Sequence, residues 1–187
     1  KIANDYKNIF ANKKIIETKP LMWGSTINRK QKIKKKDFIF LHASTFKGLS
    51  SRNLIFENSF EYFQNIITLS KAISKLKNTK LLIRIKDLEE CSVLTLRNNL
   101  KKFNNIIIKS SGTGDRGSFL EDLISSDCLI SYSSTTIEEA IYNKVPAVIM
   151  NFSQRNFIKF NSFNSYQPNS KKAIYELTLN NLNSILK

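Results

Sequence analysis

The stretch from Asp127 to Met150 constrains this chain most strongly. Cys128-Leu129-Ile130 is a brief apolar run, Ala147 to Met150 is a second behind Pro146, and Ile137, Ala140 and Ile141 between them share one helical face. The order is therefore strand, hydroxyl-rich turn, short helix, proline-led strand, with the helix spaced to pack on a sheet. The hydroxyl residues Ser133 to Thr136 fall where the first strand gives way to the helix. The first turn of a helix has N–H groups without intrahelical partners and a partial positive charge, and it draws phosphate. In an open α/β sheet this junction lies at the carboxyl ends of the strands, where ligands settle. Folding alone explains part of the pattern: Thr135-Thr136-Ile137-Glu138 fits a capping box, with Glu138 reaching back to the cap N–H. It leaves three hydroxyls and Glu139 over, so capping and ligand binding both stand at this point.

The flanks repeat the alternation. Strands are expected near 38–42, 80–86, 105–109, 128–131 and 146–150, with helices over 53–76, 92–103 and 118–124 between them. Phe56, Phe60, Phe63, Ile67, Ala72, Ile73 and Leu76 recur near helical spacing in the first of these helices. This predicts an α/β fold, a Rossmann-like open parallel sheet with helices on both faces. Residues 1–37 read as a linker and basic connector, 38–154 as the domain, and 155–187 as a helical tail through Ala173, Ile174, Leu177, Leu182 and Leu186. The first residue is not Met, and the chain reads as a piece of a longer protein.

Several side chains in the loops can meet anions. His42-Ala43-Ser44-Thr45-Phe46-Lys47-Gly48 is a polar loop expected at the carboxyl end of the first strand, with His42, Ser44 and Thr45 as candidates. Strand alternation puts Arg84 and Lys86 on one side, near the end of the second strand. Gly112-Thr113-Gly114-Asp115-Arg116-Gly117 is a literal Gly-x-Gly-x-x-Gly. As a dinucleotide fingerprint it fails, because the next helix is short and no acidic ribose ligand ends the next strand. A glycine loop at the mouth of the sheet fits better, with Arg116 as a phosphate partner.

The formal net charge of +15 favours anionic partners. Abundant Lys, Asn and Ile suggest that AT-rich codons account for much of it, and Arg29 to Lys36 is the one true cluster. That run is either a solvated connector or a contact with a membrane or partner. No aromatic–basic recognition motif accompanies the scattered lysines, so nucleic acid is not the expected partner. No apolar run approaches the roughly 20 residues of a membrane span. Cys91 and Cys128 lie far apart with one histidine in the chain, which argues against structural zinc and for reducing, cytoplasmic surroundings.

Ser133-Ser134-Thr135-Thr136-Ile137-Glu138-Glu139-Ala140, followed by Asn143-Lys144-Val145-Pro146, resembles the donor-binding motif of GT-B glycosyltransferases, those of capsule, surface-polysaccharide and teichoic-acid synthesis above all. The resemblance implies that Ser133, Ser134 and Thr135, with Thr136, contact the donor diphosphate, that Glu139 holds the ribose, and that Arg84, Lys86 or Arg116 supplies auxiliary positive charge. It implies a nucleotide-sugar as substrate, a saccharide or lipid-linked acceptor, no cofactor, and peripheral contact with the inner face of a membrane. Teichoic-acid polymerases carry Lys-x-His-Pro where this chain has Arg84-Ile85-Lys86-Asp87, so the cation is kept without the histidine and proline. The related UDP-N-acetylglucosamine 2-epimerases have glycines at the positions of Ser134 and Thr135, which favours the transferase branch. No Asp-x-Asp occurs, and a metal-independent mechanism is expected, with the general base on a missing N-terminal domain and no turnover by this chain alone. The alternatives are a nucleotide-sugar 2-epimerase and a non-catalytic basic α/β module binding nucleic acid or anionic lipid.

Overall fold

The computed structural model describes residues 37–43, 58–86, 92–111, 116–132, 135–153 and 174–186. Six strands, β1 (Phe38–Ala43), β2 (Thr79–Lys86), β3 (Ile106–Ser111), β4 (Cys128–Ser131), β5 (Ala147–Met150) and β6 (Ile174–Leu177), form one sheet. Their order is β3-β2-β1-β4-β5-β6, and every neighbouring pair is parallel. The helices are α1 (Ser59–Ile73), α2 (Val93–Leu100), α3 (Arg116–Ser125), α4 (Thr135–Tyr142) and the single turn α5 (Leu182–Ile185). This is the doubly wound order, which reverses direction between β1 and β4.

Alternation along each strand builds two cores. Phe40, Leu81, Ile83, Ile130 and Val148 face one side, under Tyr62, Ile66 and Leu69 of α1 and Leu96 of α2. Leu41, Leu82, Leu129 and Ile149 face the other, under Leu123 of α3 and Ile137 and Ala140 of α4. Burying each such side chain contributes about 1.5–3 kcal/mol, and a strand covered on both sides must be apolar throughout, as β1 and β4 nearly are. At the amino ends, Asp127 fastens the reversal. Its N–H donates to the Ile39 carbonyl at 2.8 Å, and its Oδ2 accepts from the Ile39 N–H at 2.9 Å.

The structure departs from the expected elements in four places. The buried stripe of α1 is Tyr62, Ile66, Leu69 and Ile73, offset from the phenylalanines, and Phe60 is 70% exposed. The helix begins at Ser59 because Asn58 and Glu61 form a reciprocal capping box there, at 2.9 Å in both directions. β1 runs on through Ala43, so His42 is a strand residue and not part of a loop. The expected helical tail over 155–187 is corrected at Ile174–Leu177, which pairs with β5 as β6. The open edge of β5 has backbone groups that need partners, and four residues satisfy them whichever period their side chains suggest. Ile141, expected on the buried face of α4, is 40% exposed. Of the expected linker 1–37, residues 1–36 lie outside the described residues.

Candidate functional site

Among the described residues, the carboxyl edge of the sheet carries Arg84 at the end of β2 and Thr135, Thr136 and Glu139 at the start of α4. Ser131 ends β4 on the same side as Ala43 of β1, and it is fully buried. Its Oγ donates to the Ala43 carbonyl at 2.6 Å and lies 3.1 Å from the Oγ1 of Thr136, in the first turn of α4. Thr136 Oγ1 is also 3.4 Å from the same carbonyl. Each hydroxyl has one proton. Ser131 gives its proton to Ala43, and the Thr136 hydroxyl is within reach of both Ser131 and that carbonyl. These three residues tie the start of α4 to the end of β1, directly over the point where strand order reverses. Thr135, the first residue of α4, is exposed. Ser133 and Ser134, with Ser44 and Thr45, fall outside the described residues. The cap position before Thr135 does too; Thr135 is the first helical residue, and Glu138 is exposed in the first turn. Glu139 is half-buried one turn along, and its carbonyl accepts from the Asn143 side chain at 2.9 Å.

A second helix start flanks the same point. Arg116 opens α3, and the glycine loop before it, residues 112–115, lies outside the described residues. Arg84 ends up beneath α3 as a buried cation. Its Nη1 donates to Asp122 Oδ2 at 2.5 Å and to Ser118 Oγ at 2.9 Å, and its guanidinium lies 5.8 Å from the Phe119 ring centre. Asp122 accepts in addition from Lys109 Nζ at 2.6 Å. A carboxylate between two cations, with only Lys109 open to water, locks β2 and β3 to α3. Arg84 thus serves α3 rather than standing in the open cleft. Lys86 closes β2 at the same edge.

His42 lies apart. Alternation puts it on the other face of β1, with Phe40 and the core under α1, and it is fully buried. Burial pushes its pKa down from 6.5 to about 4, so the imidazole is neutral at neutral pH. Among the described residues no three His, Cys, Asp or Glu side chains stand close enough to hold a metal ion.

Sequence reasoning missed Ser131, Asp122 and Asn151. Ser131 was legible as one more hydroxyl at the start of the Ser/Thr stretch. Asn151, just past β5, donates from Nδ2 to Glu176 Oε1 of β6 at 2.6 Å, a contact that depends on a strand the sequence concealed.

No protein-family model and no curated protein matches the sequence. Solved structures do resemble the fold. The apo form of the lipopolysaccharide outer core galactosyltransferase WaaB matches with a TM-score of 0.55 and 10% identity, over 87% of this chain and 42% of that one. TarM matches with a TM-score of 0.50 and 14% identity, over 88% of this chain and 29% of that one. The chain thus spans less than half the length of either protein. At these identities the likeness is one of fold: the chain shares with these structures an open, parallel, Rossmann-like α/β sheet, the architecture that the alternation of strands and helices implied.

Proposed function

We propose that the chain is the donor-binding half of a metal-independent glycosyltransferase that uses a nucleotide-activated sugar to build a bacterial surface polysaccharide, on a saccharide or lipid-linked acceptor at the cytoplasmic side of the membrane. The observation that carries this reading is the Ala43–Ser131–Thr136 cluster, which fixes the amino end of α4 at the strand-order reversal. Donor diphosphate sits on the first-turn N–H groups of α4 with Ser133, Ser134 and Thr135, while Thr136 holds the helix in place. Glu139 takes the ribose hydroxyls. Arg116 and Lys86 add positive charge, and Arg84 positions α3 through Asp122.

The chemistry follows from where charge develops. As the sugar–phosphate bond breaks, negative charge grows on the departing nucleotide diphosphate. Dipoles and cations already aimed there stabilise it without reorganising. The base that deprotonates the acceptor comes from a separate domain, so this chain binds donor without turning it over.

Calorimetric titration with UDP, CDP and a DNA oligomer at moderate salt tests the reading. The expected result is saturable binding of one nucleoside diphosphate, weakened at least tenfold in Glu139→Ala. Absence of any saturable nucleotide binding overturns it, and salt-sensitive oligomer binding alone identifies a basic nucleic-acid module instead.

A further inference from the structure

In a parallel sheet, each segment that feeds a strand arrives at the amino edge, opposite the candidate site. Those segments carry the cations. Lys75 and Lys77 precede β2, Lys80 is its second residue, Lys101 and Lys102 precede β3, and Lys144 precedes β5, all of them exposed. Against them, the described acids at this edge are Asp37, paired with Lys80 at 2.8 Å, and Asp127, buried against Ile39.

Two concavities open at the same edge. One, of about 550 Å³, is polar, with Lys80, Lys102, Asn78, Asn104 and Asn105 among its walls. The other, of about 720 Å³, lies on the α1 side of the sheet and is largely apolar, with Phe38, Phe40, Val148, Tyr175 and Leu186 in its lining. Thr79 lines both. Phe38 and Tyr175 are 45% and 38% exposed. Cations set beside exposed aromatic and aliphatic surface are what a protein needs at a bilayer interface, where lysines meet headgroups and apolar side chains enter the acyl boundary. A phosphodiester strand would use the lysines but gain little from an aliphatic groove.

We infer that the amino edge of the sheet docks on an anionic lipid bilayer, with the lysines of the helix-to-strand turns on the headgroups and Phe38 and Tyr175 at the acyl boundary. With β1 six residues long, the opposite edge then stands about 20 Å further out, at about 3.3 Å per strand residue. That this turns a nucleotide site toward the aqueous phase rests on the proposed function; the docking face does not.

Flotation of the full chain with vesicles of neutral phosphatidylcholine, alone or with phosphatidylglycerol, provides the test. Binding is expected only with phosphatidylglycerol and should weaken in salt. Each juxtamembrane lysine is worth roughly a fivefold change in partition, so K77E/K101E/K102E, which also adds repulsion, is expected to lose at least about a hundredfold. These are exposed turn positions, and an unchanged melting curve and unchanged UDP or CDP titration confirm that the variant is intact. An environment-sensitive dye on Asn104→Cys, in a Cys91→Ser background, should shift on the vesicles, while one on Leu94→Cys, at the start of α2 on the opposite edge, should not. Equal binding to neutral vesicles, an unaffected triple variant, a shift at Leu94 alone, or tighter binding to DNA than to phosphatidylglycerol each overturns the inference. Loss of nucleotide binding with vesicle binding intact tells against the donor-site reading alone.

Discussion

Ser131 and Thr136 bring their hydroxyl oxygens within 3.1 Å of each other, and Ser131 carries the link on to the Ala43 carbonyl at 2.6 Å. The contact joins the end of β4, the start of α4 and the end of β1, through a buried Ser131 and a partly buried Thr136. Ser131→Ala takes from the Ala43 carbonyl its short 2.6 Å donor and leaves only the 3.4 Å contact of Thr136, and a loss of about 1–3 kcal/mol is expected in urea unfolding. Thr136→Val keeps shape and should lose about 1 kcal/mol, with nucleotide affinity within a few-fold of wild type. A Thr136→Val protein of full stability that no longer binds nucleotide would make Thr136 a direct ligand.

Asp122 is the counter-charge to a guanidinium only 7% exposed. Asp122→Ala strands Arg84 in a dry setting, and a loss of about 3–5 kcal/mol is expected. Arg84→Met with Asp122→Leu removes both charges and should recover most of it, because a packed apolar pair of similar volume replaces an ion pair at little net loss. Chemical unfolding of the two variants side by side measures this. Equal destabilisation would mean that packing around Phe119, not charge, is what the pair maintains.

Stability should fall with acid in a window that His42 sets. Its folded pKa, about 4, is below the unfolded 6.5, so the unfolded chain binds the extra proton first. The contribution is complete above pH 6.5 and drains away as pH falls toward 4, by roughly 3 kcal/mol in all. Melting curves between pH 7.5 and 4.5 should show this slope in the wild type and a flatter one in His42→Gln. Parallel slopes would rule out the buried imidazole as the source.

The Cys128 thiol should resist alkylation. Burial first, and then the charge of Asp127, pushes its pKa up to about 12, so little thiolate exists at pH 8. In a Cys91→Ser background, labelling by iodoacetamide should be slow in the folded protein and fast in denaturant. Rapid labelling at pH 8 without denaturant would show that the strand opens to solvent.

The sequence displayed its fold where side-chain demands were strongest. β1, β2 and β4 are covered on both faces, and mostly apolar runs survive there, so their positions could be read to within a residue or two. β6 hid because four residues, Ile-Tyr-Glu-Leu, carry almost no period and owe their conformation to the waiting edge of β5. The capping box at Asn58 and Glu61 was spelled out in sequence but masked by the phenylalanine spacing around it. For the candidate site, the Ser/Thr turn and its place at the sheet's carboxyl edge were legible, because connectivity alone fixes them. The commitment of Arg84 to Asp122 was not, since the partners are 38 residues apart and nothing local links them. Likewise, His42 was visible as the lone histidine, but which face it took depended on how far β1 extends.

The pairing of β1 with β4 spans 88 residues at Ile39 and Asp127. As the chain leaves the ribosome, β2 and β3 can line up beside β1 long before residue 127 emerges. Until then β1 presents a bare margin, with Phe40 and Leu41 at its centre. A nascent chain stalled before Asp127 is therefore expected to be a target for chaperones, and a fragment ending there to self-associate through β1.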